Sequence, residues 1–378
     1  MRIGIDLEPL YSEGSRNRGI GNFVRNQLTN LFQIDRQNKY YLVVRKHGST
    51  FFQEQGYPAL FNQENVEYLD AENLMFALHS LDIFHVTSPF EFDSIYNRES
   101  IPCKLIVTVY DLIPLVYEKI FLGNASQKKR YWERLNFIKQ ADGIIAISEK
   151  TKQDVINFLN VPEKKIHVVY GGGANIFRRK KKNPQYIKDK YHIKNNYILS
   201  CTGSAVFHKN LPGIIKSFSF LDKEIKASHD LVIVCRLSQK EEEELKELAK
   251  HLGVFDNLKL TNYVPLEDLI SLYNHASLFI LLSLYEGFGL PVLEAMSCGT
   301  PVIAANTSSL PELVGNAGIL VNPQTPQLVA HEITRVLTNK SLRVSLIYEG
   351  LKRVTQFSWQ DTGKKTLQVY EKIFNGQH

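Results

Sequence analysis

Short apolar segments alternate with segments of helical periodicity along the whole chain, and this alternation limits the folds that it can adopt. Short apolar runs bounded by turn-forming residues are typical of buried strands, and the amphipathic stretches between them are typical of crossover helices. Successive units of this kind pair their strands in parallel and cover both faces of the sheet with helices. The pattern therefore predicts an α/β protein with parallel sheets.

The strand candidates form two groups of six. The first group comprises residues 3–5, 41–44, 83–86, 105–109, 143–147 and 166–169. The second group comprises residues 197–201, 231–234, 258–260, 278–282, 301–305 and 318–321. A glycine triplet at 171–173 and a basic run separate the groups, which indicates a domain boundary there. We predict one domain over 1–177, joined by a C-terminal helix over 358–376, and a second domain over 178–357.

The chain has enough apolar residues to fill two cores, because 44% of its 378 residues are hydrophobic. Its longest apolar runs fall far short of the roughly 20 residues that a membrane-spanning helix needs. Asp6 and Glu8 interrupt the first apolar stretch, which argues against a secretory signal and leads us to expect a cytoplasmic protein. The four cysteines occur singly, without the paired spacing of a zinc or redox site, so we expect reduced core thiols.

The net charge of +6 is concentrated in one short segment. Residues 178–194 hold eight basic residues and one acidic residue, whereas the two flanking parts of the chain are close to neutral. This distribution disfavours nucleic-acid binding over a broad surface. We interpret the run at 178–182 as a solvated connector; the alternative is peripheral contact with the anionic inner face of a membrane.

Residues 283–301 form the most informative stretch, because a buried strand is followed there by a glycine-rich turn and a short helix. Pro291 suits the first turn of a helix, and Gly299 suits a left-handed helix end, so a helix of about two turns is predicted. Gly287 and Gly289 let the backbone approach a ligand closely, and the free amides at the helix start favour an anion. The stretch therefore predicts a phosphate site.

Glu286 and Glu294 lie eight positions apart on either side of this helix start. Ionised carboxylates accept strong hydrogen bonds from sugar and ribose hydroxyls. An isolated pair of acids is more often a loop residue and a surface helix residue, so the reading depends on the surrounding motif.

This motif resembles the donor motif of the retaining glycosyltransferase family 4. The resemblance implies the GT-B fold, in which two Rossmann-like domains face each other across a cleft and a C-terminal helix crosses back to the first domain. It also implies that Glu286 and the amides of Phe288, Gly289 and Leu290 hold the transferred sugar, and that Glu294 holds the ribose.

Further matches to the family run through nearly all of the chain. Gly21 lies in a segment that resembles the family's first glycine-rich loop. Gly203, His208 and Lys209 match the loop that binds the diphosphate, and Tyr263 and Val264 match the segment beside the base. The segments 141–149, 310–318 and 357–359 also match family patterns.

Two positions depart from the family pattern. His208 stands where an arginine is common, so a fixed positive charge is lost. Tyr110 stands where many relatives have histidine, and a phenol is a poor cation at neutral pH. Asp111, which follows it, either orients a sugar or caps the next turn. His85 either lines the same cleft or is a structural histidine, the commoner case for a lone strand-end histidine.

The resemblance implies an enzyme that transfers a hexose with retention, without a metal and with no cofactor other than its nucleotide-sugar donor. Glu286, Tyr110 and Asp111 are the expected catalytic residues. We expect UDP-glucose or a similar UDP-hexose as donor and a glycan or lipid-linked saccharide as acceptor. The alternatives are a GDP-mannose-dependent mannosyltransferase and a non-catalytic nucleotide-sugar-binding protein. A nicotinamide oxidoreductase is disfavoured, because Val24 replaces the last glycine of the dinucleotide fingerprint.

Overall fold

The computed structural model describes residues 1–16, 18–45, 52, 63–91, 96–173, 176–179 and 184–377. Within the basic run, residues 180–182 lie outside the described residues. The chain divides into two compact units. Unit 1 comprises residues 1–171 and 359–378, and unit 2 comprises residues 172–358.

Unit 1 contains a seven-stranded sheet in which every pairing is parallel. Its strands are β1 (Arg2–Asp6), β2 (Lys39–Val44), β3 (Val66–Asp70), β4 (Ile83–Val86), β5 (Lys104–Val109), β6 (Gly143–Ala146) and β7 (Ile166–Val168). They lie in the order β3-β2-β1-β4-β5-β6-β7. The described helices before the second unit are α1 (Glu8–Tyr11), α2 (Gly19–Ile34), α3 (Leu74–Ala77), α4 (Ile113–Val116), α5 (Glu118–Phe121), α6 (Ala125–Lys139) and α7 (Glu149–Leu159).

The sheet of unit 1 has one strand more than the sequence predicts. The additional strand, β3, lies at the edge and pairs only with β2. Its sequence, Val-Glu-Tyr-Leu-Asp, contains two acids, and none of its residues is fully buried. An edge strand needs no continuous apolar run, because one side of it faces solvent. The prediction of six strands was wrong for this reason.

Unit 2 contains a six-stranded parallel sheet, which confirms the number of strands predicted from the sequence, and the strands lie in the order β10-β9-β8-β11-β12-β13. Its strands are β8 (Asn196–Cys201), β9 (His229–Val234), β10 (Leu258–Leu260), β11 (Leu278–Leu281), β12 (Val302–Ala305) and β13 (Ile319–Val321). Its described helices are α8 (Gln185–Lys190), α9 (Leu211–Ser219), α10 (Lys223–Ser228), α11 (Gln239–His251), α12 (Leu266–His275), α13 (Leu290–Ser297), α14 (Leu310–Val314), α15 (Pro326–Thr338) and α16 (Lys340–Val354). Alternate strand residues enter two separate apolar clusters, one on each face of the sheet.

The last helix, α17 (Trp359–Phe374), belongs to unit 1 and packs against α2 and β6. Its backbone approaches α2 so closely at Gly363 that an added Cβ would lie 2.8 Å from the amide nitrogen of Leu31. The buried amide of Gln27 donates to Thr366 Oγ1 across the same contact at 2.9 Å. The chain thus returns to its first unit, and this confirms the prediction for the C-terminal helix.

Cys103, Cys201, Cys235 and Cys298 form no disulfide bond, and Cys235 and Cys298 are buried. No helix in the described part of the chain combines the length and the apolar character that a membrane span requires.

Candidate active site

The candidate site lies at the carboxyl ends of β8 and β11, which are neighbours in the sheet of unit 2. The strands that follow β8 in sequence extend to one side of it, and those from β11 onward extend to the other. Parallel α/β sheets bind ligands at this point of reversal, because the loops leave in opposite directions and open a crevice. Lys209 lies in the loop after β8 and Glu286 in the loop after β11.

Lys209 and Glu286 form an ion pair across these two loops. The ammonium Nζ lies 2.8 Å from both carboxylate oxygens, and the two side chains are only 18% and 11% exposed. A third group, the hydroxyl of Ser283, donates to Glu286 Oε1 at 2.7 Å. The loop that carries Lys209 is fixed by Asn210, whose amide donates to the carbonyl of Leu282 at 3.0 Å.

The turn after Glu286 has the form that the sequence predicts. Gly289 has a φ of 111°, a left-handed conformation that favours glycine, and an added Cβ there would meet the side chain of Leu310 at 2.7 Å. The helix α13 begins at Leu290 with Pro291 in its first turn. Gly299 follows it with a φ of 73°. This confirms the predicted short helix and its glycine end.

Two serines that the sequence analysis does not single out hold this turn in place. The amide of Glu286 donates to Ser308 Oγ at 2.8 Å. The buried hydroxyl of Ser309 lies 3.0 Å from the carbonyl oxygen of Glu286 and 2.8 Å from that of Phe288. The run of hydroxyl residues before the proline of α14 is the signal that could have identified them, since Ser and Thr hydroxyls commonly bond nearby backbone.

Glu294 has a separate partner in Tyr273, whose hydroxyl donates to Glu294 Oε2 at 2.9 Å. Burial raises the pKa of the Glu294 carboxyl to about 7, and the hydrogen bond from Tyr273 offsets part of that rise. Tyr273 is fully buried on α12, and the sequence analysis does not identify it. The carboxylate is therefore close to the balance between its neutral and ionised forms at neutral pH.

His208 is buried beside Lys209. Burial, assisted by the charge of Lys209, lowers the pKa of the His208 imidazole to about 4. The ring is therefore neutral at physiological pH. Of the remaining predicted donor residues in unit 2, Gly203 and Tyr263 are exposed, and Val264 is buried in an apolar cluster.

The predicted site residues of unit 1 have local structural partners. Gly21 lies in the first turn of α2, where its amide donates to the carbonyl of Ser15 at 3.1 Å and a Cβ would collide with that backbone. The ring of Tyr110 is buried edge-on against Phe23, with 5.5 Å between ring centroids. Asp111 Oδ1 accepts the amide of Ile113 at 3.0 Å, which is the turn-capping geometry.

His85 is a structural residue. It is fully buried, and its two ring nitrogens lie 2.8 Å from the hydroxyls of Tyr370 and Thr108. Burial lowers the pKa of the imidazole to about 3, so the ring is neutral. The structure therefore confirms the structural interpretation of this histidine over its placement in a substrate cleft.

The described residues contain no group of three or more His, Cys, Asp or Glu side chains that could hold a metal ion.

Family comparisons match both parts of the chain. Residues 18–172 match the model for Glycosyltransferase Family 4, and residues 183–353 match the model for Glycosyl transferases group 1. The chain is a glycosyltransferase of the family 4 type.

Curated relatives of this glycosyltransferase include proteins named as mannosyltransferases. It is 30% identical over 312 residues to the serotype-specific mannosyltransferase WbdA of Escherichia coli, an alignment that covers 80% of this chain and 38% of that protein. It is 29% identical over 245 residues to the O-antigen chain mannosyltransferase B of Escherichia coli, covering 64% of each. The chain thus spans well under half the length of WbdA.

Solved structures share the fold along almost the whole glycosyltransferase. Anabaena Alr3699/HepE, crystallised with UDP and glucose, superposes with a TM-score of 0.76 at 15% identity, covering 98% of this chain and all of that one. WaaG, a glycosyltransferase of lipopolysaccharide biosynthesis, superposes with a TM-score of 0.68 at 15% identity, covering 97% of this chain and 99% of that one. The two parallel α/β units therefore have the predicted GT-B fold.

Proposed function

We propose that this glycosyltransferase transfers a hexose, with retention of anomeric configuration and without a metal, from a nucleoside diphosphate sugar to a hydroxyl of a glycan or lipid-linked saccharide. The observation that carries the proposal is the ion pair of Lys209 and Glu286 at the reversal point of the unit 2 sheet. Lys209 supplies a cation that suits phosphate, and Glu286 supplies a carboxylate that suits sugar hydroxyls. Both lie near the backbone amides at the start of α13.

Each group has one task in the proposed reaction. Lys209 and the backbone amides at the start of α13 offset the charge that develops on the leaving diphosphate. Glu286 orients the hexose by accepting hydrogen bonds from the hydroxyls of the sugar. Glu294 accepts hydrogen bonds from the ribose hydroxyls. The bond from the anomeric carbon to the diphosphate oxygen breaks and a bond to the acceptor oxygen forms on the same face. The leaving phosphate oxygen takes the acceptor's proton.

In the proposed function the acceptor binds to unit 1, and Tyr110 and Asp111 are the catalytic residues that this unit contributes. The buried phenol of Tyr110 stays protonated, because burial raises its pKa well above the usual value. It is thus suited to donate a hydrogen bond and unsuited to supply positive charge. Asp111 has to exchange its turn-capping bond, or share it, in order to orient a sugar.

The similar proteins do not agree on the identity of the sugar donor. The relatives aligned over 312 and 245 residues, at 30% and 29% identity, are named as mannosyltransferases, and two aligned over 131 and 148 residues at 32% are named as D-inositol 3-phosphate glycosyltransferases. HepE, which is 15% identical, was crystallised with UDP-glucose. Substrate choice depends on site contacts more than on the fold. We therefore place GDP-mannose ahead of UDP-glucose, which the sequence analysis favours, and keep UDP-glucose as the second candidate.

Donor and reaction are tested in two steps. Titration calorimetry with GDP-mannose, UDP-glucose, GDP and UDP measures which nucleotide binds. Turnover is then followed by nucleotide release with short manno- and gluco-oligosaccharides and their lipid-linked forms, with proton NMR of the new anomeric centre. We expect acceptor-dependent release, retained configuration and the same rate in EDTA.

Contrary results would be specific. Binding without acceptor-dependent release would support the non-catalytic alternative. Release that stops in EDTA and resumes with manganese would contradict the metal-free mechanism. Inverted configuration would contradict the retaining one.

A further inference from the structure

Each polar group of Glu286 has a bonding partner, and three of those partners are serine hydroxyls. The hydroxyl of Ser283 donates a hydrogen bond to the Glu286 carboxylate. The hydroxyl of Ser308 accepts a hydrogen bond from the Glu286 backbone amide, and the hydroxyl of Ser309 donates one to the Glu286 backbone carbonyl. The fourth partner is the ammonium of Lys209. Glu286 is therefore fixed at its side chain and at both sides of its backbone, which is the arrangement of a preorganised group.

The serines come from the loops that follow two paired strands, β11 and β12. Thr307 joins these loops, because its hydroxyl donates to the carbonyl of Ser283 at 2.9 Å. Ser283 and Ser309 are both fully buried. Ser308 has a φ of 52°, a left-handed conformation that non-glycine residues rarely adopt. Backbone strain of this kind persists only where the surrounding contacts hold it, and such strain is commonly found at functional sites.

Lys209 has two roles that compete. Its ammonium contacts both oxygens of Glu286. In the proposed function the same ammonium serves the diphosphate, whose charge attracts it away from the carboxylate or divides it between the two anions. A carboxylate held only by this lysine would change its orientation when the donor binds.

We infer that Ser283 is a positioning residue that keeps the Glu286 carboxylate aimed at the hexose while Lys209 turns to the diphosphate, with Ser308 and Ser309 fixing the backbone beneath it. The inference rests on the proposed function. Ser283 suits the task because it is fully buried two residues after β11, is bonded through its carbonyl to Thr307, and carries no charge that the diphosphate could attract. Ser283 thus holds the carboxylate when the diphosphate attracts Lys209.

The chain offers a matched control for this role. Ser200, on β8, is fully buried like Ser283, and its hydroxyl has no hydrogen-bond partner among the residues that the structure describes. Ser200→Ala removes the same atom from a similar environment without removing a bond. Any effect of Ser283→Ala beyond that of Ser200→Ala is due to the hydrogen bond to Glu286.

The first experiment does not depend on the identity of the donor. Wild type, Ser283→Ala and Ser200→Ala are crystallised with inorganic pyrophosphate as the probe. We expect pyrophosphate beside Lys209 in all three, with the Glu286 carboxylate unmoved in wild type and Ser200→Ala but rotated in Ser283→Ala. A carboxylate that stays in place in Ser283→Ala, one that swings away in wild type, or pyrophosphate bound elsewhere would each overturn the inference.

The second experiment uses the donor that supports turnover. We expect Ser283→Ala to lower kcat by about 10- to 100-fold while nucleotide affinity changes less than about twofold, and Ser283→Cys, a weaker donor, to fall between. A parallel loss of nucleotide affinity, or a kcat like that of Ser200→Ala, would refute positioning. Absence of turnover in wild type would refute the proposed function, and the crystallographic result would still decide the inference.

Discussion

Both sheets carry polar residues in or after their parallel strands, but these residues differ in burial, charge and partners. At the carboxyl ends of β8 and β11, Lys209 and Glu286 are charged, partly accessible and paired with each other. Within and after β4 and β5 of unit 1, His85 and Tyr110 are buried, and both rings are uncharged. His85 bonds the terminal helix α17 through Tyr370.

The difference shows that a polar residue in or after a strand of a Rossmann-like sheet does not by itself make a site. A pair of opposite charges held at low exposure costs desolvation energy, so a pair of this kind at the reversal point of a sheet indicates a site for a charged ligand. A neutral histidine between two hydroxyls instead fastens one element to another. We therefore expect substitutions in unit 2 to change chemistry and substitutions around His85 to change stability.

The largest expected effect is that of Glu286→Gln. The amide keeps the shape of the side chain but loses the charge that orients the sugar, so kcat should fall by about 100- to 1,000-fold with nucleotide affinity within about threefold of wild type. Steady-state kinetics and calorimetry measure the two quantities. Glu243→Gln, on the exposed face of α11, is the control. A weaker nucleotide complex with an unchanged kcat would reverse the assigned role.

Lys209→Ala should have the next largest effect. It removes the cation assigned to the diphosphate and leaves Glu286 without its ion pair, so nucleotide affinity should fall by about 10- to 100-fold. Calorimetry with the nucleoside diphosphate measures this. Lys216→Ala, an exposed lysine on α9, should bind as wild type does. If the two variants bound the nucleotide equally well, Lys209 and Glu286 would not belong to the donor site.

A smaller effect concerns pH and Glu294. The ionised form accepts ribose hydroxyls, and the pKa lies at about 7, so nucleotide affinity should rise several-fold as pH increases from 6 to 8. Glu294→Gln should bind more weakly and lose this dependence. His208→Asn should keep it, because an imidazole with a pKa of about 4 does not titrate in that range. A pH step that disappears with His208 instead would contradict the assignment.

The smallest effect on activity is expected from Tyr370→Phe. This change removes the hydroxyl that lies against the buried His85 and should destabilise unit 1 by about 1–3 kcal/mol. Calorimetry should show a lower Tm, and kcat and KM measured well below it should stay within about twofold. If the Tyr370→Phe variant were fully folded but lost turnover, His85 would have a role in the reaction, and the contrast between the two units would be wrong.

Much of the architecture was predictable because it depends on local patterns. The inner strands of unit 2 are buried and need continuous apolar runs, and its edge strands β10 and β13 also consist mostly of apolar residues, so all six were visible in the sequence. The edge strand β3 was not, because half of it faces solvent and its residues are mixed. The helix start at Pro291 and its end at Gly299 were likewise visible, since each conformation requires its residue type.

The candidate site was only partly predictable. Lys209 and Glu286 were expected in one site, and the structure brings them into contact. Ser283 and Tyr273 were not expected, because a lone serine or tyrosine in an apolar stretch carries no sign of the carboxylate that it will meet. Ser308 and Ser309 were missed although the run of hydroxyl residues before Pro311 is typical of side chains that bond nearby backbone.

The sequence by itself determined the two parallel α/β units, the glycine-rich turn before α13 and the charged residues at its start, because strand periodicity and left-handed or proline-initiated backbone are properties of neighbouring residues. Only the tertiary structure decided which groups are ionised and what holds them. Burial sets the pKa values of His208 and Glu294, and the bonds that fix Glu286 come from residues up to 77 positions away. Contacts of that range depend on how strands are ordered in the sheet, which no local stretch of sequence encodes.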